Sequence, residues 1–168
     1  SFESYLINQP RFKTFQEELA FRATKTKYVC SDGTVVGSHQ GAHYFTKGQR
    51  KGLGVGGTSE PLFVIDTDVV DNIIYTGQGK NHPGLYRSVL LIQSSEVHWV
   101  RPDLKIDLGE SLKVMARIRY RQKLEAASLY SNSDGIYVVF DSPQSAITEG
   151  QFVAWYLEDE LVGSGVIS

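Results

Sequence analysis

The sequence predicts a mainly β protein with one helix. Short runs rich in β-branched and aromatic residues recur at even spacing along most of the chain. Only one stretch carries a helical period. The 16 glycines and 5 prolines fall largely between the β-rich runs, where they act as turn signals. This combination points to an all-β barrel or sandwich.

The helix is placed over residues 8–21. Pro10 suits a first-turn position, and Phe12, Phe15 and Leu19 fall on one face. Residues 28–30 and 34–36 then read as a short hairpin around the turn signal Ser31-Asp32-Gly33. Cys30, on the first of these strands, is expected to be a buried structural thiol, since a reactive one needs an electropositive, partly open setting. Further strands are expected at 62–66, 72–76, 89–92, 112–120, 125–130, 136–140 and 152–157. The turn-rich run from Gln78 to Gly84 places a domain boundary near Pro83. The resulting division is a helix in 1–24, a small β domain in 25–84 and a second β domain in 85–168.

At 168 residues the chain has room for one ordinary domain or two small ones. Its 41% hydrophobic and 21% charged content fits a globular protein. A net charge of −2 excludes a uniformly basic nucleic-acid binder, so any such contact must come from local patches. The single cysteine excludes an internal disulfide framework and a multi-cysteine zinc site. No apolar run approaches a membrane span, and no signal-peptide pattern opens the chain. The absence of an initiator Met and the start in mid-pattern read as a piece of a longer protein.

Residues 37–57, GSHQGAHYFTKGQRKGLGVGG, hold seven glycines, the cations Lys47, Arg50 and Lys51, and no acid. Such a segment reads as a shaped loop that touches an anion or a neighbouring domain. Gly52, Gly54 and Gly57 satisfy the GxGxxG pattern. That fingerprint needs a strand before it and a helix after it, and Thr58-Ser59-Glu60-Pro61 cannot open such a helix. No phosphate-cradling nucleotide loop is found elsewhere.

The run KVMARIRYRQK at residues 113–123 has five cations and no acid. Read as a strand, it puts Lys113, Arg117, Arg119, Arg121 and Lys123 on one face. Val114, Ala116 and Ile118 take the other, with Tyr120 among them unless a bulge re-aims it. The cationic row is either a phosphate-binding face or a solvated edge strand kept soluble by charge. His39, His43, His82 and His98 lack metal-ligand spacing, and no metal site is expected. Trp99 and Trp155 read as core or rim aromatics. No Ser/His/Asp arrangement is defensible from the spacing.

Six separated motifs occur in fixed order: the glycine-rich segment, GQGKNHPGLY (77–86), VHWV (97–100), RIRYRQ (117–122), VVFDSPQSAITEGQFVAWY (138–156) and LVGSGVI (161–167). Together they resemble the C-terminal half of the bacterial tRNA-specific 2-thiouridylase family. The resemblance implies an N-terminal linker helix, a small central β domain and a C-terminal antiparallel β-barrel similar to translation-factor barrels. It also implies a cytoplasmic enzyme that places sulfur on C2 of the wobble uridine of tRNA. ATP and Mg²⁺ would serve a separate ATP-pyrophosphatase-type domain, absent here, and a persulfide from a sulfur-relay or cysteine desulfurase partner would supply sulfur. This portion alone would be inactive and would help to hold the anticodon arm.

Carried over residue by residue, the family's tRNA contacts fall on Arg119, Tyr120 and Gln151, with Arg121 beside them. Gln49, Arg50 and Lys51 are expected to meet the tRNA or the catalytic domain. Glu149 replaces the proline of the family's PGQ turn, and Ser164 interrupts its glycine triplet. The second catalytic cysteine of the family falls on Tyr5, so no catalytic residue is assigned. A phenol cannot carry a persulfide. The alternative is therefore a non-catalytic β-barrel RNA- or protein-interaction module of a paralogue that lost thiolation. With RNA as partner, phosphates account for the arginine row and Tyr120 can stack on an unpaired base.

Overall fold

The computed structural model describes residues 12–168. The first regular element among the described residues, α1, spans Phe15–Ala23. Its start is set by Thr14, whose hydroxyl accepts from the Glu17 amide at 3.1 Å and satisfies one of the orphan N–H groups of the first turn. Glu17 and Glu18 sit at the positive end of the helix dipole and Arg22 at the negative end. Among the described residues the helix starts at Phe15 and runs two residues past Phe21; residues 8–11 of the expected helix lie outside the described residues. Leu19, 1% exposed, and Ala23 pack against Val89 and Tyr137 of the large sheet.

Strands β1 (Leu62–Asp68) and β2 (Ile73–Gln78) form an antiparallel two-stranded sheet. The glycine-rich segment is stitched onto β1. The Gly48 amide donates to the Val64 carbonyl at 2.7 Å, and the Val64 amide donates back to the Gln49 carbonyl at 2.9 Å.

The remaining strands are β3 (Tyr86–Gln93), β4 (Val97–Trp99), β5 (Ser111–Arg117), β6 (Glu125–Asn132), β7 (Gly135–Ser145), β8 (Phe152–Leu157) and β9 (Glu160–Val166). They form one antiparallel sheet in the order β3-β7-β6-β5-β8-β9-β4. The sheet curls into a half-barrel, and the Ser168 amide reaches the Leu91 carbonyl of β3 at 3.0 Å. Alternate residues of each strand turn inward, as the pleat requires. Leu90, Ile92, Leu129, Val138, Val153, Trp155 and Val162 fill the interior. Trp155 is fully buried and meets Trp99 edge-on, with centroids 5.5 Å apart.

The expectation of a mainly β protein with a barrel-like sheet and one α-helix is met among the described residues. Three local expectations are not. Residues 28–30 and 34–36 form no strands. Asp32 instead accepts from the Val29 amide at 2.8 Å and closes a 3₁₀ turn over Cys30–Asp32. Cys30 is consequently exposed, not buried. The strand expected over 112–120 stops at Arg117. Strands β4 and β9 were not anticipated, because β4 is only three residues long and β9 carries Gly163 and Gly165.

Candidate nucleic-acid interface

The inward–outward alternation of β5 continues one step past its end. Val114, Ala116 and Ile118 are buried, while Lys113 and Arg119 are exposed. The chain then folds back on itself. The Gln122 amide donates to the Arg119 carbonyl at 2.9 Å, so Arg119-Tyr120-Arg121-Gln122 is a β-turn and not a strand. Gln122 braces it twice. Its Oε1 accepts from the Ile118 amide at 3.2 Å, and its Nε2 donates to Gln144 Oε1. Gln144 is the buried polar residue of β7, 6% exposed. The single cationic face proposed for residues 113–123 is therefore replaced by a turn that projects its side chains in several directions. Tyr120 leaves the inward set altogether and is 87% exposed.

Arg119 does not simply point into solvent. Its Nη2 donates to the carbonyls of Ser145 and Ala146, at 3.2 and 2.7 Å. Residues 145–151 form the loop that contains Gln151. There the Gln151 side chain accepts from the Thr148 amide at 3.0 Å, and the Ile167 amide donates to the Gln151 carbonyl at 2.8 Å. The Arg119 turn, more than twenty residues away in sequence, is thus hydrogen-bonded to the loop that carries Gln151.

Gly48, the residue before Gln49, Arg50 and Lys51, approaches the same loop. Gln49 closes its own turn, accepting from the Thr46 amide at 3.1 Å and donating to the Lys51 carbonyl at 2.9 Å. Next to it, Gly48 has a φ of 88°. A Cβ added there would lie 3.0 Å from the Cβ of Ala146. Ala146 takes a φ of 53° and donates its amide to the Leu85 carbonyl at 3.0 Å. Ala146 is therefore where the central segment, the chain entering β3 and the barrel turn converge.

Two half-buried cations lie nearby. Burial, then the charge of Arg87, lowers the pKa of Lys47 below the ordinary lysine value. Arg87 is likewise lowered by burial and donates to the Ala23 carbonyl. Arg50, Lys51 and Arg121 are exposed. Two acids lie among these cations, Asp66 raising the pKa of Lys47 and Glu149 that of Arg87 against the lowering by burial. The exposed Arg50, Lys51 and Arg121 form no ion pair among the described residues.

Residues 52–57 have neither the preceding strand nor the following helix that a dinucleotide fingerprint needs. Among the described residues no group of three or more His, Cys, Asp or Glu could hold a metal ion. The His39 ring accepts from the Gly41 amide, a structural role. Tyr5 lies outside the described residues. Sequence reasoning missed Gln122 and Gln144 as the supports of the turn; a polar residue at an inward position of β7 was the available signal.

Two family models and several curated relatives match the chain. Residues 14–78 match the tRNA methyl transferase PRC-barrel domain, and residues 90–167 match the aminomethyltransferase β-barrel domain. The chain is 63% identical, over 99% of its length, to the tRNA-specific 2-thiouridylase MnmA of Christiangramia forsetii. It is 61% identical over 98% of its length to the MnmA of Flavobacterium johnsoniae, and 41% identical over 96% to that of Stutzerimonas stutzeri. It spans 42% of the length of each of these relatives. The chain therefore belongs to the bacterial tRNA-specific 2-thiouridylase family, of whose members it matches a part.

Proposed function

We propose that this chain is the tRNA-holding portion of an enzyme that 2-thiolates the wobble uridine of tRNA. The observation that carries the reading is the convergence on Ala146. Arg119 binds its carbonyl, Gly48 packs on its Cβ, and Gln151 closes the same loop. One loop therefore couples three groups of side chains with the chemistry of RNA contacts. Arg119, Arg121, Arg50 and Lys51 would meet phosphates, Tyr120 would stack on an unpaired base, and Gln151 and Gln49 would supply polar contacts. Use of ATP and Mg²⁺ by the whole protein, a sulfur-donating partner and a cytoplasmic setting belong to the same proposal and rest on the family resemblance. No membrane partner is proposed. No helix among the described residues is long and apolar enough to cross a membrane.

The test is mass spectrometry of tRNA from a deletion strain in which no second 2-thiolase is present. Loss of 2-thiouridine, restored by the intact gene, supports the reading. A second reading, a non-catalytic RNA- or protein-interaction module, is favoured by Tyr5 at the position of the family cysteine. Undiminished 2-thiouridine in the deletion strain would select it.

A further inference from the structure

Arg117 is the last residue of β5, and its position is dictated by strand register. Opposite it on β8 lies Ala154, and Met115 faces Tyr156. Arg117 and Tyr156 are thus diagonal neighbours on the outer face of the sheet, within reach of long side chains. The Arg117 guanidinium carbon lies 5.2 Å from the centroid of the Tyr156 ring and 5.1 Å from that of Tyr120. Its Nη2 donates to the Tyr156 hydroxyl and its Nη1 to the Tyr120 carbonyl, both at 3.0 Å. Four interactions with two tyrosines occupy this arginine. It differs in this from Arg121, which is exposed on the turn.

An aromatic ring that is 87% exposed at the tip of a turn loses conformational freedom when a base stacks on it, unless something already holds it. Arg117 supplies that hold. It fixes the Tyr120 carbonyl by a charge-assisted hydrogen bond and the ring by a cation–π contact. Tyr156 anchors the guanidinium from the rigid sheet. We infer that Arg117 is a positioning residue. It links Tyr156 and Tyr120 into one aromatic–cation–aromatic platform and presents the Tyr120 ring to an unpaired base, without neutralising a phosphate itself. This deepens the RNA-binding reading and rests on it.

The roles separate by salt dependence. A phosphate contact contributes to the slope of log affinity against log salt, whereas stacking contributes to affinity and leaves the slope nearly unchanged. The experiment measures binding of an unmodified tRNA transcript by the full-length protein across a salt series. The variants are Arg117→Met, Arg117→Lys, Tyr120→Ala and the double variant Arg117→Met/Tyr120→Ala, each checked for an unchanged unfolding midpoint. Tyr120→Ala is expected to weaken binding about tenfold, within the range for loss of one stacked base. Arg117→Met should weaken it about fivefold with the wild-type salt slope, and Arg117→Lys should restore part of the loss. The double variant should bind no worse than Tyr120→Ala alone, because both act through one ring. A slope reduced by roughly one in Arg117→Met would overturn the inference in favour of a direct phosphate contact. So would Arg117→Met binding like wild type while Tyr120→Ala is weakened, or losses that simply add. If Tyr120→Ala has no effect, or the protein binds no tRNA, the RNA-binding reading itself fails.

Discussion

The carbonyl of Ala146 accepts a 2.7 Å hydrogen bond from Arg119 Nη2, across an interval of 27 residues. Ala146 holds a left-handed φ of 53°, which costs a non-glycine residue about 1 kcal/mol or more unless the surroundings enforce it. Arg119, Leu85 and Gly48 together supply that enforcement. An arginine to which the resemblance assigns a tRNA contact thus also holds the loop that carries Gln151.

Arg119 therefore has a structural share that Arg121 lacks. Arg119→Ala should lower stability by about 0.5–1.5 kcal/mol, the worth of an ordinary hydrogen-bond loss. It should also speed hydrogen exchange in residues 145–151. Arg121→Ala should do neither. Urea unfolding and exchange mass spectrometry check both.

Gly48 is required by backbone and by space. Gly48→Ala would put a Cβ 3.0 Å from that of Ala146 at a φ of 88°. A loss of about 1–2 kcal/mol is expected in urea unfolding. Ala146→Gly removes the other partner of the contact and relaxes a strained φ, so it should relieve part of the loss when combined with Gly48→Ala.

Gly163 shows why β9 escaped a reading by strand propensity. A Cβ there would meet Cζ2 of the Trp155 ring at 2.6 Å. The glycine that weakens the β pattern is the one that lets a fully buried tryptophan lie across the neighbouring strand. Gly163→Ala should cost about 1–3 kcal/mol by overpacking and should alter the near-ultraviolet circular dichroism of the tryptophans.

His82 provides a pH-dependent contribution. Its Nδ1 accepts from the Gly84 amide at 3.0 Å, and burial lowers its pKa below the usual 6.5. Above 6.5 the ring is neutral in folded and unfolded chain alike, and the cap is intact. As pH falls below 6.5, the unfolded chain takes up a proton first, so stability is lost down through the folded pKa. His82→Asn keeps an acceptor at this cap and should remove this component. The comparison is the difference in urea midpoint between the two proteins from about pH 8 to about pH 5.

Much of the fold was legible because β-branched alternation and turn residues reflect local physics. The strand at 152–157 has the bounds expected for it. The failures share a cause. At residues 28–36 the turn signal was genuine, but Asp32 spent its carboxylate on the Val29 amide and no ladder formed. At residues 117–122 the alternation of cationic and apolar residues outlasted the strand itself. What stopped the strand was Gln122 binding the Ile118 amide, with Gln144 behind it. No periodicity encodes that arrangement. The RNA-contact candidates Arg119, Tyr120 and Gln151 came from resemblance, while the hydrogen bonds from Arg119 to the loop that carries Gln151 are visible only in three dimensions.

The most direct test of the proposed interface is tRNA binding by the full-length protein with Arg119 and Arg121 both changed to Ala, measured over a range of salt. The interface predicts affinity lowered at least tenfold at low salt and a salt slope shallower by roughly one to two. Wild-type affinity with a wild-type slope would contradict it.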